Sequence, residues 1–228
     1  MTGKDIADAT ESVWGWCDGV VGGWRTYTYQ ERLHLAECAL AVVPAGGMIV
    51  EVGSYGGLST AVLLHVARER KARLAACDMF MWNGVEAEEK LRQVLCSFPD
   101  VQWRFYWTSS KLAQLVATSK PETHGVTCPP FVDHNIDFLH IDGDHLLAKD
   151  DCELWVPHIA PGGAAAFHDA NPDQRAEIGC LVVRDAVAYT SGWEEIYWSK
   201  DENCLMVKRK PWKEDKWEEE ARGRHDHD

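Results

Sequence analysis

The sequence predicts a doubly wound α/β domain whose mostly parallel, seven-stranded sheet ends in an antiparallel hairpin. Three observations predict it. Short apolar bursts alternate with helix-period segments, the first burst runs into a glycine-rich turn, and the last two bursts are joined by a link too short for a parallel crossover.

The elements follow in order. "ERLHLAECALAVV" (31–43) spaces its apolar residues for an amphipathic helix. Before it, the Gly- and aromatic-rich "GWCDGVVGGWRTYTY" is placed to cover the carboxyl edge of the sheet as a substrate lid, with plain packing of Trp14, Trp16 and Trp24 as the alternative. Five bursts read as parallel strands: "MIVEVGS" (48–54), "RLAACDMF" (73–80), "VQWRFYW" (101–107), "IDFLHID" (136–142) and "GAAAFHD" (163–169). Helical stretches separate them at 59–70, 88–98, 111–119 and 147–159. After a helix at 180–191, "EEIYWS" (194–199) and "CLMVKR" (204–209) are linked by "KDEN" alone, which suits a hairpin. The expected organisation is an N-terminal helical lid segment packed on the core (1–45), a cofactor-binding domain (46–210) and a charged tail (211–228).

Composition narrows the function. The 228 residues fit one core, and 46% hydrophobic with 26% charged residues excludes a disordered chain. A net charge of −13 repels a phosphate backbone, so nucleic acid is not an expected partner. No apolar run suits a membrane span and the first residues lack a secretion signal, so the expectation is a cytoplasmic protein with a small-molecule substrate, its oligomeric state open. Eight cysteines, none in a C-x-x-C pair, read as free structural thiols.

"VEVGSYGGLST" stands where the first strand meets the following helix, the position at which open α/β sheets bind cofactors. The spacing is not G-x-G-x-x-G, and Glu51 would oppose a pyrophosphate on the helix N-terminus. S-adenosylmethionine (SAM), which has a sulfonium, an ammonium, a carboxylate and a ribose diol, suits such a loop better. Glu51 would face the ammonium directly or through water. Gly53, Ser54, Tyr55 and Gly57 would let the backbone approach, and the helix start at Ser59 would bind the carboxylate. Asp78, at the end of the second strand, would accept the ribose hydroxyls. Ser109 either caps the next helix or meets the adenine edge, with Trp82 or Trp107 as an apolar wall.

"IDFLHIDGDH" leaves its strand at Asp142, and "PGGAAAFHDAN" brings His168 and Asp169 to the end of the next strand. Parallel neighbours end about 5 Å apart, so Asp142 and Asp169 are expected to meet beside the cofactor. Two such carboxylates repel unless they share a cation or a proton. Mg²⁺ or another divalent ion there would acidify a hydroxyl held in line with the sulfonium methyl, and His145 or Asp144 would take the proton. Asp150 and Asp151 read as surface charges of the helix.

These residues resemble the class I SAM-dependent methyltransferases. Within them, the glycine loop with Tyr55 and Ser59 is similar to the catechol branch of the small-molecule O-methyltransferases, and "HIDGDH" with "PGGAAAFHDA" to the macrocin-type sugar branch. The resemblance spans about residues 22–209 and implies a Rossmann-like methyltransferase fold, methyl transfer to a hydroxyl of a sugar- or polyol-like or aromatic metabolite, Asp142 and Asp169 as metal ligands, and His145 or Asp144 as base. The chain departs from it at the end of strand five. His168 stands where the sugar branch has the first of two acids, at the third ligand position, and Ala170 separates Asp169 from Asn171 where the catechol branch has Asp-Asn. Two other readings compete: a NAD-dependent oxidoreductase, disfavoured by the glycine spacing and Glu51, and a catalytically silent SAM-binding protein.

Overall fold

The computed structural model describes residues 1–11, 13, 27–80, 84–118, 122–123, 126–127, 131–132, 135–170, 178–198 and 205–212. Seven strands form the main sheet: β1 (Met48–Val52), β2 (Arg73–Asp78), β3 (Gln102–Trp107), β4 (Ile136–Ile141), β5 (Ile159–Phe167), β6 (Glu194–Trp198) and β7 (Met206–Arg209). Their order is β3-β2-β1-β4-β5-β7-β6, with β7 antiparallel to both neighbours and the other pairs parallel. This is the predicted sheet. A two-residue hairpin, Glu122–Thr123 against Val126–Thr127, lies outside it.

Helices α1 (Gly3–Ala9), α2 (Tyr29–Val42), α3 (Leu58–Arg70), α4 (Gly84–Cys96), α5 (Ser110–Thr118), α6 (Ala148–Trp155) and α7 (Ile178–Ala186) cover the sheet. The strands alternate their side chains between two faces, so each face needs its own apolar cover. On one face Ile49, Leu74, Phe138 and Ala164 pack with Leu35 and Ala39 of α2, Leu63 of α3 and Leu91 of α4. On the other, Val50, Ala75, Leu139 and Ala165 pack with Ala113 of α5, Trp155 of α6 and Val183 of α7. Ile6 of α1 and Tyr27 share the first of these cores, so α1 and the residue leading into α2 pack against the sheet.

Two predicted boundaries shift for identifiable reasons. The helix expected over 147–159 is α6 with a 3₁₀ turn on each side, His145–Leu147 and Val156–His158. Pro157 cannot donate an amide to an α-helical bond there. Strand β5 begins at Ile159 and runs through the Pro-Gly-Gly segment, and a register shift against β4 between Ile136 and Phe138 absorbs that irregular stretch. Cys38, Cys77, Cys96 and Cys152 are free thiols. Trp14, Trp16, Trp24, Trp82, the "KDEN" link and residues 213–228 lie outside the described residues.

Register positions the site. Val52 pairs with Ile141, and Ile141 with Phe167, so β1, β4 and β5 end at one level. Three amides continue the ladder past the strands: Gly53 to the Cys77 carbonyl (2.9 Å), Asp142 to that of Val52 (2.8 Å) and His168 to that of Ile141 (3.1 Å).

Candidate active site

At the tip of β1 the chain turns sharply under close contact. Gly53 has φ 85°, and a Cβ there would sit 2.1 Å from the carbonyl oxygen of Asp142, so glycine is required both by conformation and by space. Tyr55 follows at φ 43°. Helix α3 then opens at Leu58 on an N-cap glycine, Gly57, which has no side chain to cap it, leaving the first-turn amides near Ser59 without a side-chain acceptor at that cap. Such a helix start suits a carboxylate ligand.

The acids around this loop are engaged by the chain itself. Glu51 is fully buried, and its Oε2 accepts from the Ser54 hydroxyl (2.8 Å) and the Thr60 hydroxyl (2.6 Å). Its Oε1 lies 3.6 Å from Nδ1 of His140, which is equally buried. Glu51 is thus enclosed beneath the loop. At the end of β2, Asp78 Oδ2 accepts the backbone amides of Ser54 (2.9 Å) and Tyr55 (2.7 Å), and Oδ1 accepts that of Phe80 (2.6 Å). These bonds hold two residues of unfavourable backbone geometry, Tyr55 and Phe80 at φ 51°.

The tips of β4 and β5 differ. Nδ1 of His168 lies 3.1 Å from Asp142 Oδ1 and 3.2 Å from Asp169 Oδ2. The same Asp169 oxygen meets Nε2 of His145 at 3.0 Å. Asp169 adopts φ 54°, a left-handed conformation that aspartate tolerates better than most residues and that aims its carboxylate at both imidazoles. Burial works against charge on His168, but Asp142, Tyr27 and Asp169 outweigh it and hold that imidazole well above its ordinary pKa. Burial likewise opposes ionisation of Asp169, and the two histidines overcome it, holding the carboxyl well below the usual carboxylate range. The hydrogen bond to Asp169 raises the pKa of His145 against its partial burial.

Sequence reasoning missed the layer beneath this corner. Tyr27 stacks on His168 with ring centroids 4.3 Å apart and planes 15° apart, and its hydroxyl meets Nε2 of His140 at 2.6 Å. Burial pushes that phenol well above its ordinary pKa, so Tyr27 keeps its proton. Glu31, in the first turn of α2, brings Oε1 to 3.3 Å from His168 Nε2. The T-x-x-E capping box at Thr28 was a legible signal for where α2 begins, and only the tertiary packing shows that its glutamate also faces a strand tip.

The remaining candidates separate. Asp144 caps the 3₁₀ turn, accepting from the Leu146 amide at 3.0 Å, so its carboxylate has a local structural partner. Ser109 Oγ meets the Leu112 amide at 3.4 Å in the manner of an N-cap, while Ser110 Oγ accepts from the Trp155 indole at 2.8 Å. Trp107 is largely exposed, packed edge-on against Phe105 and under the Arg92 guanidinium. The expectation that Asp151 is a surface charge fails. It is 4% exposed, because its face of α6 turns inward beneath Gly143, and burial raises its pKa to about 6. Asp150 is exposed as expected.

A divalent ion fits the corner chemically. Among the described residues, Asp142, His168 and Asp169 form a cluster whose ligand atoms all lie within 4.8 Å of one another, a spacing that one ion about 2.0–2.4 Å from each donor bridges with small adjustment. The loop fits a cofactor with a carboxylate through the open start of α3.

A doubly wound sheet ending in an antiparallel hairpin, with a glycine turn and a cluster of ionisable side chains at one carboxyl edge, defines an α/β domain of the kind that binds ligands outside the carboxyl ends of its strands. The chain belongs to the methyltransferase-domain family, whose model matches residues 50–170. A search of the curated proteins finds no match. Among solved structures, the chain is similar to an O-methyltransferase from Bacillus cereus in complex with SAH at 15% identity, covering 89% of this chain and 91% of that one with a TM-score of 0.59. The O-methyltransferase TomG from Streptomyces achromogenes, involved in tomaymycin synthesis and in complex with SAM, aligns at 12% identity over 91% and 89% with a TM-score of 0.60. The SAH-bound Podospora anserina methyltransferase PaMTH1 aligns at 11% identity over 91% and 88% with a TM-score of 0.61. At these identities the likeness is one of fold. Among the described residues no helix is long and apolar enough to cross a membrane.

Proposed function

We propose that this methyltransferase transfers a methyl group from SAM to a hydroxyl of a small polar metabolite, of sugar- or polyol-like or aromatic kind, with a divalent ion at the β4–β5 corner. The observation that carries the reading is the His145–Asp169 pair, 3.0 Å apart, placed beside Asp142 and the Gly53 turn.

In this reading the start of α3 receives the methionine carboxylate and the turn through Gly53 and Gly57 admits the cofactor. Asp78, with one carboxylate oxygen holding a single amide, supplies an acceptor toward a ribose hydroxyl. SAM supplies an electrophilic methyl on a sulfonium. A divalent ion on Asp142, Asp169 and His168 supplies Lewis acidity toward the acceptor hydroxyl. His145 takes the hydroxyl proton. Its Nε2 is engaged by Asp169, which fixes the tautomer and leaves Nδ1 as the basic nitrogen, and its 30% side-chain exposure permits contact with a substrate. Asp144 is the weaker candidate because its carboxylate caps a turn.

A metal-independent form of the same reaction is the second reading, favoured by the position of His168 between two carboxylates. Calorimetric titration with SAM and with NAD tests the cofactor: binding of SAM and not NAD is the expected result, and the reverse would replace the reading with an oxidoreductase. Methyl transfer to a panel of sugars, polyols and catechols, with and without EDTA, then distinguishes the two forms. Loss of transfer in His145→Ala and Asp142→Ala supports the proton and ion roles; full turnover in both would remove them.

A further inference from the structure

We propose that the ion centre is a mixed one, with His168 Nδ1 as nitrogen ligand beside Asp142 and Asp169, selective for first-row transition ions over Mg²⁺, and that Glu31 of the N-terminal helix α2 is its positioning residue. This rests on the ion-assisted form of the function proposed above.

One ring nitrogen of His168 faces both carboxylates, at 3.1 and 3.2 Å, so ion and imidazole meet on the same side of the ring. The opposite side is held. Nε2 lies 3.3 Å from Glu31 Oε1, and the ring face is stacked on Tyr27. Glu31 is itself anchored, because its Oε2 accepts the Thr28 amide at 2.6 Å while the Thr28 hydroxyl accepts the Glu31 amide at 3.2 Å. His168 and Glu31 are both more than nine-tenths buried. With an ion in place of the proton between His168 Nδ1 and the two acids, a carboxylate behind the distal ring nitrogen would orient the imidazole from the far side, as carboxylates behind histidine ligands do in metal sites.

The donor set then decides the ion. Mg²⁺ takes oxygen ligands and gains little from an imidazole, whereas Mn²⁺, Co²⁺ and Zn²⁺ accept one nitrogen with two carboxylates, with affinity rising along that series to Co²⁺. Helix α2 precedes β1 and contributes no ligand, yet it would control the centre through the ring it braces.

Equilibrium dialysis of the full-length apo protein against Mg²⁺, Mn²⁺ and Co²⁺, with the visible absorption of bound Co²⁺ as a second readout, tests this. Expected are Co²⁺ binding at least about tenfold tighter than Mg²⁺ binding, loss of that preference in His168→Asp, and Co²⁺ affinity about 10- to 100-fold weaker in Glu31→Gln with an altered Co²⁺ spectrum. Thr28→Ala breaks the cap without removing the Glu31 carboxylate, and it separates helix stability from ring positioning: the inference requires its Co²⁺ affinity to stay closer to wild type than that of Glu31→Gln. Equal or tighter Mg²⁺ binding, no ion binding at all, or wild-type Co²⁺ affinity in Glu31→Gln overturns the inference. SAM titration of the same samples shows whether the failure is confined to the ion centre or extends to the methyltransferase reading beneath it.

Discussion

The two halves of the carboxyl edge use the same residue type in opposite ways. Around the β1–β2 tips, Glu51 and Asp78 accept hydroxyl and amide protons from Ser54, Thr60, Tyr55 and Phe80, and these bonds shape the turn. Around the β4–β5 tips, Asp142 and Asp169 face two imidazoles, groups that exchange protons and bind ions. A carboxylate held by hydroxyl and amide donors of its own loop keeps its partners, and one whose partners are titratable can change them. In the proposed function the first half is a scaffold for the cofactor, and the second is where chemistry is expected.

The sharpest break between the halves should come from His145→Ala. His145 is partly exposed and makes its described ion pair with Asp169, so its removal should lower kcat/KM about 10²- to 10⁴-fold while stability changes by under about 1 kcal/mol. Steady-state kinetics and urea unfolding of the same preparation check both parts. A loss of stability matching the loss of rate would place His145 with the scaffold instead.

Gly53→Ala attacks the junction of the halves. The added Cβ meets the Asp142 carbonyl in a backbone region closed to alanine, so a loss of about 2–4 kcal/mol is expected, with activity falling in step. Unfolding midpoints test this, and a stable variant would mean that the two strand tips part easily.

Much of this edge was legible in the sequence. The alternation of apolar bursts gave seven strands, and the rule that neighbouring parallel strands end together brought Asp142 beside Asp169 before any coordinates. What could not be read was the third dimension of the acids. Glu51 faces inward toward Thr60 and His140, nine and many more residues away, and nothing in the local pattern "VEVGS" distinguishes an inward from an outward glutamate. Asp151 sits on a short amphipathic helix next to the exposed Asp150, and a helix phase error of one residue is enough to exchange their environments. Tyr27 and Glu31 reach the corner only because α2 docks across the sheet, a contact between distant parts of the chain.

Thr60→Val probes the scaffold half alone. The change keeps the side-chain shape and removes one of the two hydroxyl donors to the buried Glu51, so about 1.5–3 kcal/mol of stability should be lost. Turnover at saturating substrate should fall no more than a few-fold. A collapse of kcat with unchanged stability would move Glu51 into the reacting half and erase the contrast.

Asp151 offers the smallest and most discriminating effect, because it is an acid of the second half with no imidazole beside it among the charges that shift it. Its folded pKa, about 6, exceeds the ordinary value of 3.8, so between those two pH values the folded chain binds more protons than the unfolded one. Stability from this group is accordingly complete below about pH 4, declines as pH rises toward 6, and stays reduced above it. Asp151→Asn removes the ionisation, so it should stabilise the protein by about 1–2 kcal/mol at pH 7 and by almost nothing at pH 4, measured as urea midpoints across that range. Destabilisation at pH 7 would mean that the Asp151 carboxylate is compensated in the folded chain as well as Glu51 is. The difference between the two halves would then lie in the histidines alone.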